Sequence, residues 1–329
     1  QMCIRDRFKY NLRQKSLDDF NYSSQKNKKE EMKYVIGLGE VLWDVLPSGK
    51  QIGGAPANFA FHVSQFGIPV RVVSAIGDDD LGRETREVFA KRNLTAIMPS
   101  LPQPTGTVLA QIDEAGVAHY HFPDDVAWDN IPFTPEMEQL ARETQAVCWG
   151  SLAQRSECSR QSILKFVDAV PSGKGQYKIF DINLRQNFYT KEIITASLER
   201  ANVLKINDEE LVIVARLFGL QGTDLEAKSR TLLTEYNLDM VILTCGENGS
   251  YIFTPATEDN PLGGTSFMET PRVKVSDTIG AGDSFTGTLV ASLIEGLSIR
   301  EAHARAVRVS AYVCTQAGAM PILPEEVKN

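Results

Sequence analysis

The sequence predicts an α/β fold: a mainly parallel central sheet covered by helices on both faces, with a small β-rich insertion. Three observations point there. From about residue 134 to residue 316, short apolar runs alternate with amphipathic segments of helical period, the order that builds crossover units. The chain has 329 residues, 43% of them hydrophobic and 23% charged, which suffices for a sizeable buried core. The stretch near 100–125 breaks the alternation, with Pro99, Pro102 and Pro104 leading into two runs of period two. No run approaches the ~20 apolar residues of a membrane span.

Taken in order, 34–38 is a short apolar run broken by glycine, read as the first core strand. Residues 56–66 place Phe59, Ala60, Val63 and Phe66 at helical spacing, with Pro56 at the start and Gly67 as a stop. A strand over 70–76 and an amphipathic helix over 81–92 follow. The runs 107–112 and 117–122, joined by Asp113-Glu114-Ala115-Gly116, read as a hairpin. Helices are expected over 134–144, 156–170, 190–200, 207–218 and 224–236. Strands are expected over 146–150, 177–182, 203–206 and 239–244, with a hairpin partner at 250–254 and a further strand near 272–275. Two helices, about 282–295 and 298–316, close the chain.

Charge is unevenly distributed. Residues 1–31 hold eight Lys or Arg and five Asp or Glu, leaving 26 basic and 37 acidic of the chain's 34 and 42, a net −11. That leader is polar and lacks the apolar core of a secretory signal; it reads as disordered or non-native, with the working chain starting at Met32. The acidic body disfavours nucleic acid and membrane surfaces as partners. It still admits an anionic ligand, because clustered backbone N–H groups bind phosphate locally. The five cysteines form no C-x-x-C pair, and Cys148 and Cys245 lie in apolar runs, which suits reduced thiols and a cytoplasmic location. His119 and His121 alternate about Tyr120, so a strand face is favoured over a metal site.

Chemistry concentrates in Asp277-Thr278-Ile279-Gly280-Ala281-Gly282-Asp283-Ser284-Phe285, placed between a strand and a long helix. Small residues at 280–282 let the backbone approach a ligand, and the helix start offers N–H groups and a positive dipole end to a phosphate. Asp283, in the first turn, can accept the proton of an attacking hydroxyl. A glycine turn with an Asp cap is common taken alone; the nine residues together, in this context, are rarer.

These residues resemble the C-terminal signature of the ribokinase/PfkB family of carbohydrate kinases. The family's N-terminal glycine motif appears as Gly53-Gly54-Ala55-Pro56-Ala57-Asn58-Phe59-Ala60. Similarity continues through Gly77 to Gly82, Asn207 to Glu210 and Thr244 to Gly249, and so covers essentially all of 33–325. Within the family, the segments 39–47, 150–155 and 181–185 look most like a fructokinase. The resemblance implies a ribokinase-like three-layer α/β/α sandwich over 32–329, with a β lid from segments near 45–52 and 100–125.

It also implies roles. Asp283 would be the base, and the N–H groups of Gly280, Ala281 and Gly282 the anion hole for the γ-phosphoryl. Asp44, Gly53, Gly54 and Asn58 would hold the sugar, with Arg185 at the sugar or the phosphates. Asn207, Thr244, Gly246 and Gly249 would line the nucleotide, with 311–318 near the adenine. Glu210 would act near Mg²⁺ through water, since Mg²⁺ dehydrates reluctantly; Asn207 and Glu210 also read as a capping box. Trp43 is a candidate for sugar stacking, though an aromatic at a strand end is more often packing. Some relatives bind a monovalent cation near the segment matching Asp277 and Ile279, which leaves K⁺ open.

The expected reaction is ATP-dependent phosphorylation of a sugar hydroxyl, D-fructose to fructose 6-phosphate, with Mg²⁺ as cofactor. The alternatives are a 2-keto-3-deoxygluconate kinase or other sugar kinase, a non-catalytic sugar- or nucleotide-binding paralogue, and a dinucleotide-binding oxidoreductase. The last fails on G-x-G-x-x-G, because position 285 is Phe. The expected partners are sugar and ATP, with a homodimer through the exposed lid sheet.

Overall fold

Nine strands form the central sheet of the computed structural model, which describes residues 33–46, 49–112, 118–257, 260 and 263–329. They are β1 (Tyr34–Leu38), β4 (Val70–Val73), β6 (Ala96–Ile97), β10 (Thr144–Trp149), β11 (Tyr177–Asp181), β12 (Val203–Asn207), β13 (Met240–Thr244), β14 (Ser250–Phe253) and β15 (Thr265–Met268). Their order is β15-β14-β13-β12-β11-β10-β1-β4-β6. The seven from β6 to β13 pair in parallel; β14 and β15 add an antiparallel edge. A second sheet, ordered β3-β2-β8-β9, contains β2 (Leu42–Leu46), β3 (Gly49–Gly53), β8 (Gly106–Ile112) and β9 (Ala118–His121). Two short strands, β5 (Ile76–Gly77) and β7 (Ser100–Leu101), pair separately.

Strand alternation divides the core in two. Ile36, Leu204, Ile206, Val241 and Leu243 face one cluster, whereas Val35, Val203, Met240 and Ile242 face the other. On the second face lie α1 (Ala55–Ser64), α2 (Asp80–Lys91), α8 (Ala281–Ile294) and α9 (Ile299–Cys314); on the first lie α3 (Pro135–Arg142), α4 (Glu157–Ala169), α5 (Lys191–Leu198), α6 (Asp208–Phe218) and α7 (Leu225–Glu235). A short α10 (Glu325–Lys328) ends the chain. Residues 34–329 cluster as one unit; the expected leader at 1–31 lies outside the described residues.

Two strand expectations need correction. The run 70–76 is split into β4 and β5. The segment 272–275 is not a strand: β14 already has β15 on its outer side, at Thr265–Met268. Val273 and Val275 alternate with Arg272 and Lys274 and so mimic a strand, but Val275 is 57% exposed and both valines line a cavity. The β-rich insertion does contain the expected antiparallel pair, β8 with β9, and β2 joins it in parallel. Cys148 and Cys245 are buried free thiols, as expected. Among the described residues, no helix is long and apolar enough to cross a membrane.

Candidate active site

α8 starts where the two sheets' loops converge. Gly280 caps it with φ 76°, in the left-handed region, and a Cβ there would come within 2.7 Å of Ala319; only glycine fits both demands. Helix starts leave N–H groups without intrahelical partners. Ala281 N–H turns back to Thr278 O at 3.3 Å, so Gly282 and Asp283 supply the first-turn donors. Asp277 braces the preceding loop, its two carboxylate oxygens accepting from Ile279 N–H at 3.0 Å and Gly318 N–H at 3.2 Å.

Asp283 accepts a hydrogen bond from Asn58 Nδ2 at 2.7 Å. This links α8 to α1, and Asn58 Oδ1 is buried without a partner. Burial, then the Asp181 charge, pushes the Asp283 carboxyl up to about 6, while Asn58, Lys205 and Arg185 pull it back. Below it, Lys205 Nζ and Asp181 form a buried ion pair at 3.1 Å, and Thr286 Oγ1 donates to the other Asp181 oxygen at 3.2 Å. A Cβ at Gly282 would lie 3.0 Å from Lys205 Nζ. The ammonium thus sits directly behind the helix start, held cationic by Asp181, Glu210 and Asp283 against the cost of burial.

On one side of α8 lie the expected sugar residues. Asp44 is on β2, and Gly53, at the end of β3, lies against its carboxylate: a Cβ there would come within 2.6 Å of Asp44 Oδ2 and displace it. Burial lifts the Asp44 carboxyl to about 6, opposed by the Arg185 charge. Gly54 caps α1 with φ 109°, and a side chain there would collide with the Glu40 carbonyl oxygen. Arg185 lies on an exposed turn between Asn183 (φ 43°) and Gln186 (φ 47°), and its charge reaches Asp44 and Asp283 alike.

On the other side is a cavity of about 1000 Å³. Asn207, Thr244, Gly246, Gly249, Gly282 and Lys205 line it, and Val307, Ala311 and Cys314 of α9 form an apolar wall. Asn207 and Glu210 make a full capping box: Glu210 N–H donates to Asn207 Oδ1 at 2.8 Å and Asn207 N–H to Glu210 Oε2 at 2.9 Å. Glu210 Oε1 accepts from Leu184 N–H at 2.9 Å, which pins the Arg185 turn. Among the described residues, no group of three or more His, Cys, Asp or Glu is gathered to hold a metal ion. Glu210 has each oxygen on one backbone N–H group, which leaves a lone pair on each for a water or an ion.

The sequence-predicted residues therefore fall into two adjoining sets around 280–283. Trp43 departs from the stacking reading: it is 3% exposed and donates from Nε1 to Thr85 Oγ1 at 3.0 Å, so it packs. Sequence reading overlooked Lys205, Asp181 and Glu40 as site residues. The signal for Lys205 was a lone cation inside Val203-Leu204-Lys205-Ile206, a central strand that must be apolar unless its charge is paired.

A model of the pfkB family carbohydrate kinases matches residues 39–326. The chain belongs to that family. This carbohydrate kinase is 27% identical over 321 residues to "Probable fructokinase-3" of Arabidopsis thaliana, covering 89% of each chain. Its fold is similar to that of a fructokinase with bound ATP from Xylella fastidiosa, with TM-score 0.76 and 20% identity over 90% of this chain and 97% of that one. A fructokinase from Vibrio cholerae O395, crystallised with fructose, ADP and calcium ion, gives TM-score 0.70 and 23% identity over 89% and 96%. The architecture is the ribokinase-like α/β fold that the sequence motifs implied.

Proposed function

We propose that this carbohydrate kinase is an ATP-dependent fructokinase that transfers the γ-phosphoryl of ATP to the 6-hydroxyl of D-fructose. The observation that carries the reading is the position of Asp283, a half-buried carboxylate at a helix start between a large cavity and a cluster of sugar-type acceptors. Asn58 orients it, and the orphaned Asn58 Oδ1 fits a hydroxyl donor. ATP occupies the cavity beside Asn207, Thr244 and Gly246, and its adenine lies against the α9 wall. Mg²⁺, carried with the phosphates, neutralises their charge; Glu210 is suited to touch its water shell. Asp44 holds neighbouring sugar hydroxyls through charge-assisted bonds.

Asp283 takes the proton of the sugar hydroxyl as its oxygen attacks the γ-phosphorus in line. With Ala281 N–H turned back to Thr278 O, the N–H groups of Gly282 and Asp283 and the Lys205 ammonium face the charge on the transferring group, where fixed donors in a dry site act most strongly. The β3-β2-β8-β9 sheet acts as the lid, excluding water as a competing nucleophile; its edge strands β3 and β9 are the surfaces for pairing with a second copy. Any K⁺ near Asp277 and Ile279 would have backbone carbonyls among its ligands, on a loop braced by both Asp277 oxygens.

Fructose is favoured by the names of the relatives and by one local fact. Arg155, the cation of segment 150–155, is committed to Asp129 at 2.8 and 2.7 Å and to the Pro123 carbonyl. Pairing with Asp129 opposes its use as the partner of an acid sugar, although its Nη1 is buried without a hydrogen-bond partner. A coupled ADP-release assay with ATP and Mg²⁺ across fructose, ribose and 2-keto-3-deoxygluconate tests this. Fructose should give the highest kcat/KM; preference for either other sugar would overturn the substrate assignment.

A further inference from the structure

Glu40 lies on the link between β1 and β2 and is 2% exposed. Its Oε2 is buried without a hydrogen-bond partner. The backbone N–H groups of Glu40 itself and of Ala55 face its carboxyl. Ala55 opens α1, and that helix start is otherwise bare: its cap is Gly54, which has no side chain, and its first turn contains no acid. The negative group at this positive dipole end therefore comes from Glu40, across the chain. One turn further along α1, Asn58 holds Asp283 at 2.7 Å.

The charged surroundings form one cluster. Arg185, from the turn after β11, and Asp283, from α8, both act on Glu40. Cys148 of β10 feels Glu40, Asp181, Asp283 and Lys205 together. A carboxyl buried this deeply with an unpartnered oxygen is costly, and its retention calls for a compensating role.

We propose that Glu40 is a positioning residue: its buried carboxyl anchors the start of α1, so that Asn58 is held against Asp283, and its charge is coupled to that of Asp283. This rests on Asp283 as the base. Coupled acids share their titration steps. Burial, with the Asp283 charge adding and the backbone N–H groups and Arg185 opposing, lifts the Glu40 carboxyl to about 7, close to the Asp283 value of about 6.

The test has two arms. Carboxyl carbon-13 NMR follows Asp283 through pH in wild type and in Glu40→Gln, which keeps the side-chain shape. The wild-type curve should spread over two steps, and the Glu40→Gln curve should collapse to one. Superimposable curves would overturn the coupling. In the second arm, Glu40→Ala, Asn58→Ala and the double variant are compared by kcat and KM for sugar. Each single change should lower kcat by roughly tenfold, the size of one coupled contact, and the double change should add little. Multiplying losses would show that Glu40 does not act through Asn58. If wild type releases no ADP with any sugar, the kinase assignment of the site fails, whereas the NMR arm still decides the Glu40 link.

Discussion

The two sides of the α8 start are built from opposite materials. The nucleotide side is a cavity of about 1000 Å³ with backbone donors, a polar rim at Asn207 and Thr244, and the Lys205 ammonium. The sugar side gathers Glu40, Asp44 and Asp283, whose carboxyls burial lifts to about 7, 6 and 6. One side is made to receive negative charge and the other to accept protons. Phosphoryl transfer from an anionic donor to a neutral hydroxyl needs both, meeting at one point, and in the proposed reaction Gly280 to Asp283 is that point. An acidic chain can thus bind a polyphosphate, because the local field at the helix start differs from the net charge.

Breaking the meeting point itself should have the largest effect. Asp283→Ala should lose about 10²–10⁴-fold in kcat, the range for a general base, while ATP binding by calorimetry stays within twofold. Breaking the cationic side comes next. Lys205→Met should lower kcat by about 10²–10³-fold with little change in sugar KM, and should also melt early because Asp181 is left buried and unpaired. Breaking the sugar side is smaller: Asp44→Ala should raise sugar KM by roughly 10- to 100-fold, the worth of a charged hydrogen bond, with ATP KM unchanged. A rise in ATP KM instead would erase the division between the sides.

The smallest effect is on stability and has the opposite sign. The folded chain holds the Asp283 proton more tightly than the unfolded chain, whose value is 3.8, so its contribution is fully present below about 4 and is lost as pH rises through about 6. Asp283→Asn should therefore melt higher than wild type at pH 8, and the two should converge near pH 4. Equal melting temperatures at pH 8 would show that Asp283 ionises without cost.

The sequence made the helix start legible because 277–285 is a local signature: turn, small residues, cap and the proposed base all lie within nine positions. The parallel sheet was legible from alternating runs for the same reason. The misreadings share a different cause. Val273 and Val275 have strand period, yet Thr265–Met268 holds the sheet edge, and only tertiary competition decides between them. Lys205 hid inside an apolar window because its partner Asp181 is 24 residues away. Trp43 was ambiguous until Thr85, 42 residues on, claimed its N–H. Glu40 is visible only once β1 and α1 are packed together.

The acid limb of kcat/KM for fructose tests the central claim most directly, because it reads the ionisation of the base in the free enzyme. The rate should fall as pH drops through about 6, where the Asp283 carboxyl takes up its proton. A kcat/KM that stays constant from pH 5 to pH 8 would contradict Asp283 as the base at the junction of the two sides.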